Sequence, residues 1–192
     1  MVMEPLQAES LQARLDASGP LPVVEASRSP EPDNATSYNI RGNARAYLGD
    51  FVGAIADYDE AIRLDPNAAD VYSSRGNTCV FLGDLQGALA SYDQALRLQP
   101  DDAEAYNSRG TVRTRLGDYQ GSIVDFDQAL ELQPELAKAL AGRGYALACL
   151  RDFQNAIPDL ERALALEPNA SWSPGMRRAL SAARLEVAMQ RE

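Results

Sequence analysis

Residues 69–102 read ADVYSSRGNTCVFLGDLQGALASYDQALRLQPDD, and residues 103–136 read AEAYNSRGTVRTRLGDYQGSIVDFDQALELQPEL. Laid over each other without a gap, the strings share Tyr72 with Tyr106, Arg75-Gly76 with Arg109-Gly110, Gly83-Asp84 with Gly117-Asp118, and Pro100 with Pro134. The register continues both ways. Arg41-Gly42, Gly49-Asp50 and Pro66 lie one period before, and Arg143-Gly144, Arg151-Asp152 and Pro168 one period after. Four ungapped 34-residue units therefore run 35–68, 69–102, 103–136 and 137–170. A period of this length is the mark of a repeat architecture in which each unit buries its face on its neighbours.

Each unit reads as two helices. The first covers about fourteen positions and ends at Gly49, Gly83 or Gly117, residues suited to the left-handed conformation that closes a helix. Asp50, Asp84, Asp118 and Asp152 follow, each placed to accept from the unpaired N–H groups that open a second helix. That helix stops ahead of the proline, which disfavours helix in the residue before it. Tyr58, Tyr92, Phe126 and Leu160 recur on the second helix, with Ala61, Ala95, Ala129 and Ala163 three residues on. Ala54, Ala88, Ser122 and Ala156 lie four residues before, so all share one buried face. Gly42, Gly76, Gly110 and Gly144 supply a matching small spot on the first helix. Pro158 falls inside a second helix, past its first turn, and predicts a bend or opened turn near residue 154.

These residues resemble the tetratricopeptide repeat (TPR) family over 35–170. The family pattern has an aromatic at position 4 (Tyr38, Tyr72 and Tyr106, with Leu140 in the fourth unit), Gly or Ala at 8, Ala at 20 and 27, an aromatic at 24 and Pro at 32. The resemblance implies an all-α, right-handed α-solenoid of helix–turn–helix repeats. Two departures stand out. Position 7, Leu in the family, is Arg in every unit: Arg41, Arg75, Arg109 and Arg143. Position 11, Tyr in the family, is Arg45, Cys79, Arg113 and Leu147. A half-buried Arg needs a carboxylate or must reach solvent. Asp57, Asp125 and Asp159, with Asp59, Asp93, Asp127 and Glu161, predict a ladder of Arg–carboxylate pairs between packed helices; solvated surface charge is the alternative.

The resemblance also supplies a concave groove lined by first-helix positions. These give Asn39, Asn43 and Tyr47 in the first unit; Asp70, Asn77 and Phe81 in the second; Glu104, Asn107, Thr111 and Arg115 in the third; and Lys138 and Tyr145 in the fourth. An asparagine amide both donates and accepts, so a row of them can hold the backbone of a peptide of any sequence. The opposing reading is that these amides only solvate the surface. The two-carboxylate clamp of chaperone-binding TPR domains is disfavoured. Asn43 matches one clamp position, but Asn39 stands in place of Lys, Ser74 in place of Asn, and Glu104 and Ser108 in place of basic residues.

Outside the repeats, residues 171–192 predict a capping helix with Met176, Leu180, Ala183 and Val187 on one stripe. Residues 3–17 read as a possible helix. Residues 18–34, with Pro20, Pro22, Pro30 and Pro32, read as a linker, so 1–34 is either a mobile tail or a docking arm.

Of 192 residues none is histidine, which excludes Ser-His-Asp and Cys-His catalysis and His-ligated zinc. The net charge of −10 argues against a general nucleic-acid binder. It divides as −4 over 1–34, −8 over 35–136, zero over 137–170 and +2 over 171–192, which favours a basic or neutral partner over the first repeats. Seventeen of the eighteen cations are Arg, the exception being Lys138. Either nucleotide composition or selection for planar bidentate donors accounts for this. Cys79 and Cys149 match no metal or redox spacing and read as two buried thiols in a reducing compartment. No run is long enough for a transmembrane helix, and the first residues lack the pattern of a secretory signal. The expectation is a cytoplasmic, non-catalytic adaptor without cofactor or metal, binding a protein or peptide segment as a monomer or weak self-associate. A self-associating structural solenoid is the alternative. The repeat style resembles bacterial, especially cyanobacterial, TPR proteins, and implies a role as an assembly factor for a larger complex, including a membrane complex.

Overall fold

The computed structural model describes residues 34–190, and among these the chain is all helix and turn. The expected helix over 3–17 and the linker after it lie outside the described residues. The chain divides into two compact units between Pro66 and Asn67. The described part of the first is one hairpin of α1 (Ala35–Tyr47) and α2 (Phe51–Leu64). The second holds α3 (Ala69–Leu82), α4 (Leu85–Leu98), α5 (Ala103–Arg115), α6 (Tyr119–Leu132), α7 (Ala137–Cys149), α8 (Phe153–Leu166) and α9 (Ser173–Met189). There α3–α4, α5–α6 and α7–α8 are hairpins. Successive hairpins pack through α4 on α5 and α6 on α7, and α9 lies against α8 and α7.

The turns follow the local chemistry expected of them. Gly49, Gly83 and Gly117 have φ of 85°, 78° and 83°. The fourth turn keeps this conformation without a glycine: Arg151 has φ 64°, and its side chain reaches Glu186 on α9 at 3.0 Å. Asp50, Asp84 and Asp118 accept from the N–H of Gly53, Gly87 and Gly121 at 2.9–3.0 Å. A Cβ at these glycines would stand 2.1–2.2 Å from the capping carboxylate. The fourth unit has Asn155 there, and its cap is stretched to 3.4 Å while the Asn155 amide donates to Asp152 at 2.8 Å. The second helices end two residues before each proline, and the intervening Asp65, Gln99, Gln133 and Glu167 turn extended with φ near −131° to −134°.

One expectation is narrowed and one needs correction. Residues 153–166 are helical throughout, so of the bend or opened turn expected from Pro158 the opened turn is excluded. Pro158 removes one N–H at the sixth residue, and packing of Ala156, Leu160 and Ala163 carries the helix past the gap. Cys79 is buried, but Cys149 is exposed, because it occupies the same repeat position as the exposed Tyr47 and Phe81. In α9 the predicted stripe faces inward, with Leu180 and Ala183 buried and Met176 and Val187 half-buried. Arg184 pairs with Glu161 of α8 at 2.7 Å, and Arg177 donates to the Pro168 carbonyl at 2.6 Å.

The arginine ladder is present, and its pairing differs between units. In the first hairpin Arg41 binds Asp57 through Nε and Nη2 at 2.9 and 2.7 Å, and Arg45 adds a third contact at 2.9 Å. In the third repeat Arg109 grips Asp125 at 3.0 and 2.6 Å, and Arg113 binds the same carboxylate at 2.9 Å. Arg109 also reaches back to Asp93 of the preceding hairpin at 2.7 Å. Arg143 repeats this geometry with Asp159 at 2.7 and 2.8 Å and with Asp127 at 2.7 Å. Here Leu147 replaces the second arginine. In the second repeat Ser91 takes the aspartate's place and accepts from Arg75 at 2.8 Å. In the first, third and fourth repeats the planar guanidinium thus satisfies a buried carboxylate in its own hairpin, and in the last two it also ties that hairpin to the one before.

A second pairing runs through the tyrosines. Tyr58 donates to Asn43 at 2.8 Å and Tyr92 to Asn77 at 2.7 Å. Burial raises the Tyr92 phenol to about 12, opposed by a weaker lowering from its hydrogen bond with Ser108. Below the unfolded value near 10 the hydroxyl is protonated in both states and its contribution is intact; above it the unfolded chain ionises first and stability is lost. Tyr92→Phe is expected to cost about 1 kcal/mol at pH 8 for the lost hydrogen bond. That cost should shrink above pH 10 and change sign before pH 12, where wild type has lost about 2–3 kcal/mol through Tyr92. Paired urea titrations from pH 8 to 11.5 measure the difference; a constant gap would contradict it.

Candidate functional site

The first-helix residues marked out by the sequence separate by role once their contacts are known. Asn43 and Asn77 are exposed, but their side-chain oxygens accept the hydroxyls of Tyr58 and Tyr92. Their residue type is accounted for inside the hairpin. The third repeat shows the reason: Phe126 has no hydroxyl, and Thr111 stands where Asn would accept one, bonding the Asn107 carbonyl in its own helix at 2.9 Å. Tyr47 on α1 and Phe81 on α3 are open to solvent at 78% and 73% exposure. Asp70, Glu104 and Arg115 are also exposed, and Asn39 is half-buried.

Asn107, Thr111, Lys138 and Tyr145 come together in the second unit around one cavity of about 300 Å³. Thr114, Phe126, Ala141, Gly142, Trp172 and Met176 complete its lining. Helix α5 contributes the two threonines and Asn107, and α7 contributes Lys138, Ala141, Gly142 and Tyr145. Phe126 comes from α6, and its ring lies so close to Gly142 that a Cβ there would stand 2.4 Å from it. Trp172 is placed by the turn into α9, where Ser173 donates its hydroxyl to the Glu167 carbonyl at 2.8 Å and its N–H to Ala170 at 3.0 Å. Trp172 and Met176 rest on the core cluster of Phe126, Ala129, Leu130, Leu140 and Ala163.

Asn107 is 7% exposed, and its side-chain oxygen is buried without a hydrogen-bond partner. An unmade bond of this kind costs about 1–3 kcal/mol. The equivalent residue one repeat later is Ala141, which shows that an apolar side chain suits the position structurally. The sequence reading missed Phe126, Gly142, Trp172 and Met176 as lining. Phe126 reads as core, Gly142 has no glycine at the equivalent positions Ile40, Ser74 and Ser108, and the last two lie past the final repeat, so no periodic signal pointed to them. Among the described residues no group of three or more His, Cys, Asp or Glu side chains is arranged to hold a metal, and no helix is long and apolar enough to cross a membrane.

The fold is shared with known proteins. Solved structures of similar fold include the MamA protein, with a TM-score of 0.71, 24% identity and coverage of 78% of this chain and 80% of that one. YrrB, described as a TPR protein with an unusual peptide-binding site, aligns with a TM-score of 0.67, 20% identity and coverage of 88% and 84%. The first TPR of Spaghetti, bound to an HSP90 peptide, aligns with a TM-score of 0.59, 26% identity and coverage of 62% and 93%. No curated protein sequence matches the chain. Family models described as TPR repeat match residues 42–80 and 76–117, and those described as tetratricopeptide repeat match 103–136 and 137–170. With helical hairpins recurring every 34 residues through the matched span, the chain belongs to the tetratricopeptide repeat family.

Proposed function

We propose that this protein is a non-catalytic adaptor that holds a segment of a partner protein against the first helices of its repeats. The observation that carries the reading is Asn107, a buried amide with an unmade hydrogen bond beside an apolar cavity, at a position where Ala141 shows that alanine packs well. A polar group kept at such a cost fits a site that is completed by a ligand. The Spaghetti structure carries a bound HSP90 peptide, which supports a peptide as the ligand class here. The clamp residues differ, with Asn39, Ser74, Glu104 and Ser108 at the positions discussed above. We read the partner accordingly as something other than a chaperone terminus, the cellular setting as cytoplasmic, and the role as assembly of a larger complex.

Replacing Asn43, Asn77 and Asn107 together would mix two effects, because two of the three serve tyrosine hydroxyls. The cleaner experiment compares wild type with Phe81→Asp, an exposed side chain whose change should leave the melting temperature within about 2 °C. Affinity purification with mass spectrometry identifies the partner, and binding of that partner should fall at least tenfold in Phe81→Asp. Equal recovery by both proteins would overturn groove recognition.

Self-association is the second reading. Leu185 and Met189, one turn apart on α9, are 63% and 64% exposed. Light scattering after size exclusion decides it: a mass near 20.8 kDa at every concentration removes it.

A further inference from the structure

The cavity between α5, α7 and α9 differs from an ordinary apolar groove in three respects. It has a definite size, about 300 Å³, at the small end of the about 300–1,000 Å³ usual for small-ligand pockets, so it suits a side chain and not a folded surface. Its walls are Phe126, Tyr145, Trp172 and Met176, which favour a large apolar group. The hydroxyls of Thr111 and Thr114 in its lining donate to the backbone carbonyls of Asn107 and Gly110, which leaves as its other polar members a buried, unpaired Asn107 side-chain oxygen and the chain's single lysine, Lys138. A carbonyl oxygen in need of a donor, next to a peptide-sized space, matches a backbone N–H. A single exposed ammonium beside that space matches a carboxylate. The surrounding charge agrees, because 137–170 sums to zero and 171–192 to +2 while 35–136 carries −8. An acidic side chain is therefore better placed on the α7–α9 side of the cavity, beside Lys138, than on its α5 side.

We propose that this cavity reads an internal acidic–apolar step in an extended partner segment. The apolar side chain enters between Trp172, Tyr145 and Met176. The Asn107 side-chain oxygen turns about χ2 to accept that residue's backbone N–H. Lys138 pairs with the carboxylate of the adjoining Asp or Glu. An internal side chain is preferred to a chain terminus because one cation lines the cavity, not the paired donors that a terminal carboxylate needs. The inference rests on the adaptor reading above and specifies what that reading leaves open.

Trp172 is the only tryptophan in the chain, so its emission reports the cavity directly. The probes are blocked eleven-residue peptides on a Gly-Ser background, with a central Glu-Leu, Lys-Leu or Glu-Ser, and a free-acid peptide ending in Leu. Each is titrated into the full chain, with Trp172 emission and anisotropy of a labelled copy as parallel readouts. The Glu-Leu peptide should shift Trp172 emission saturably and bind about tenfold tighter than Lys-Leu or Glu-Ser, the equivalent of one lost interaction of about 1.4 kcal/mol. Lys138→Glu should reverse the order of Glu-Leu and Lys-Leu. Asn107→Leu should weaken Glu-Leu binding at least fivefold while raising the melting temperature of the free protein by about 2–4 °C, a trade that a merely structural asparagine would not make.

Equal affinity for Glu-Leu and Lys-Leu would overturn the proposal. So would binding of the free-acid peptide alone, or binding seen by anisotropy without change at Trp172; in each of these the adaptor reading stands. Absence of binding by every peptide in anisotropy would overturn both.

Discussion

Replacing Asp125 by alanine is expected to destabilise the second unit by about 3–5 kcal/mol, the usual cost of stranding buried charge. Asp125 is fully buried and is gripped by both nitrogens of one Arg109 edge and by Arg113. Removing it leaves two part-buried guanidinium groups short of their shared carboxylate. Asp93 retains one Nη of Arg109, and the Gly121 carbonyl retains Arg113 at 3.1 Å, but neither replaces a buried anion. Urea unfolding followed by circular dichroism measures the loss. Converting all three residues together to apolar side chains of similar volume should recover most of it, since a well-packed apolar cluster commonly matches a buried ion network. The fourth repeat tests the logic, because there Leu147 has already replaced the second arginine and Asp159 is satisfied by Arg143 alone. Arg113→Leu should therefore be tolerated at about 1–2 kcal/mol, the worth of one charged hydrogen bond. A loss as large as that of Asp125→Ala would show that the second arginine, not the carboxylate, holds the network.

Phe126→Ala should cost a comparable amount, about 3–5 kcal/mol, as a large buried ring replaced by a cavity. The ring is 1% exposed, fills the space against Gly110 and Gly142, and forms part of the cavity's wall. Gly142 accepts it only because it lacks a Cβ, and at Gly110 a Cβ would press on the ring at 3.0 Å. Phe126→Leu copies Leu160, the equivalent residue of the last repeat, and should cost about 1–1.5 kcal/mol, within the range of near-volume-conserving swaps. Thermal unfolding of both variants beside wild type measures the difference. Equal losses would mean that the site depends on the shape of the ring and not on its apolar volume.

Most of the fold was legible because its causes are local. The left-handed glycines, the capping aspartates and the prolines act within four residues of their own position, so each 34-residue unit spells its own turns. The expectations that gave way did so where local logic met packing. The opened turn at Pro158 lost to the burial of its neighbours on α8, and Cys149 lay at an outward repeat position that composition could not reveal. The arginine ladder was legible as a need, since four half-buried cations required acids. Which acid each found, and that Asp57 and Asp125 would each serve two arginines, followed from helix packing.

The site was legible only in outline. Twelve first-helix residues were marked by position, and the structure gathers Asn107, Thr111, Lys138 and Tyr145 of them around one cavity. Asn43 and Asn77 have a partner in their own hairpin, something the Tyr58–Asn43 and Tyr92–Asn77 spacing of fifteen could have signalled. The sequence alone determined the hairpins, their period and their buried face, because a repeat records what each unit requires to fold. The tertiary structure alone decided the cavity, because its lining spans Asn107 to Met176 and its wall is completed by Trp172, beyond the last repeat. The cavity forms where the units stop being alike, and periodicity carries no information about that place.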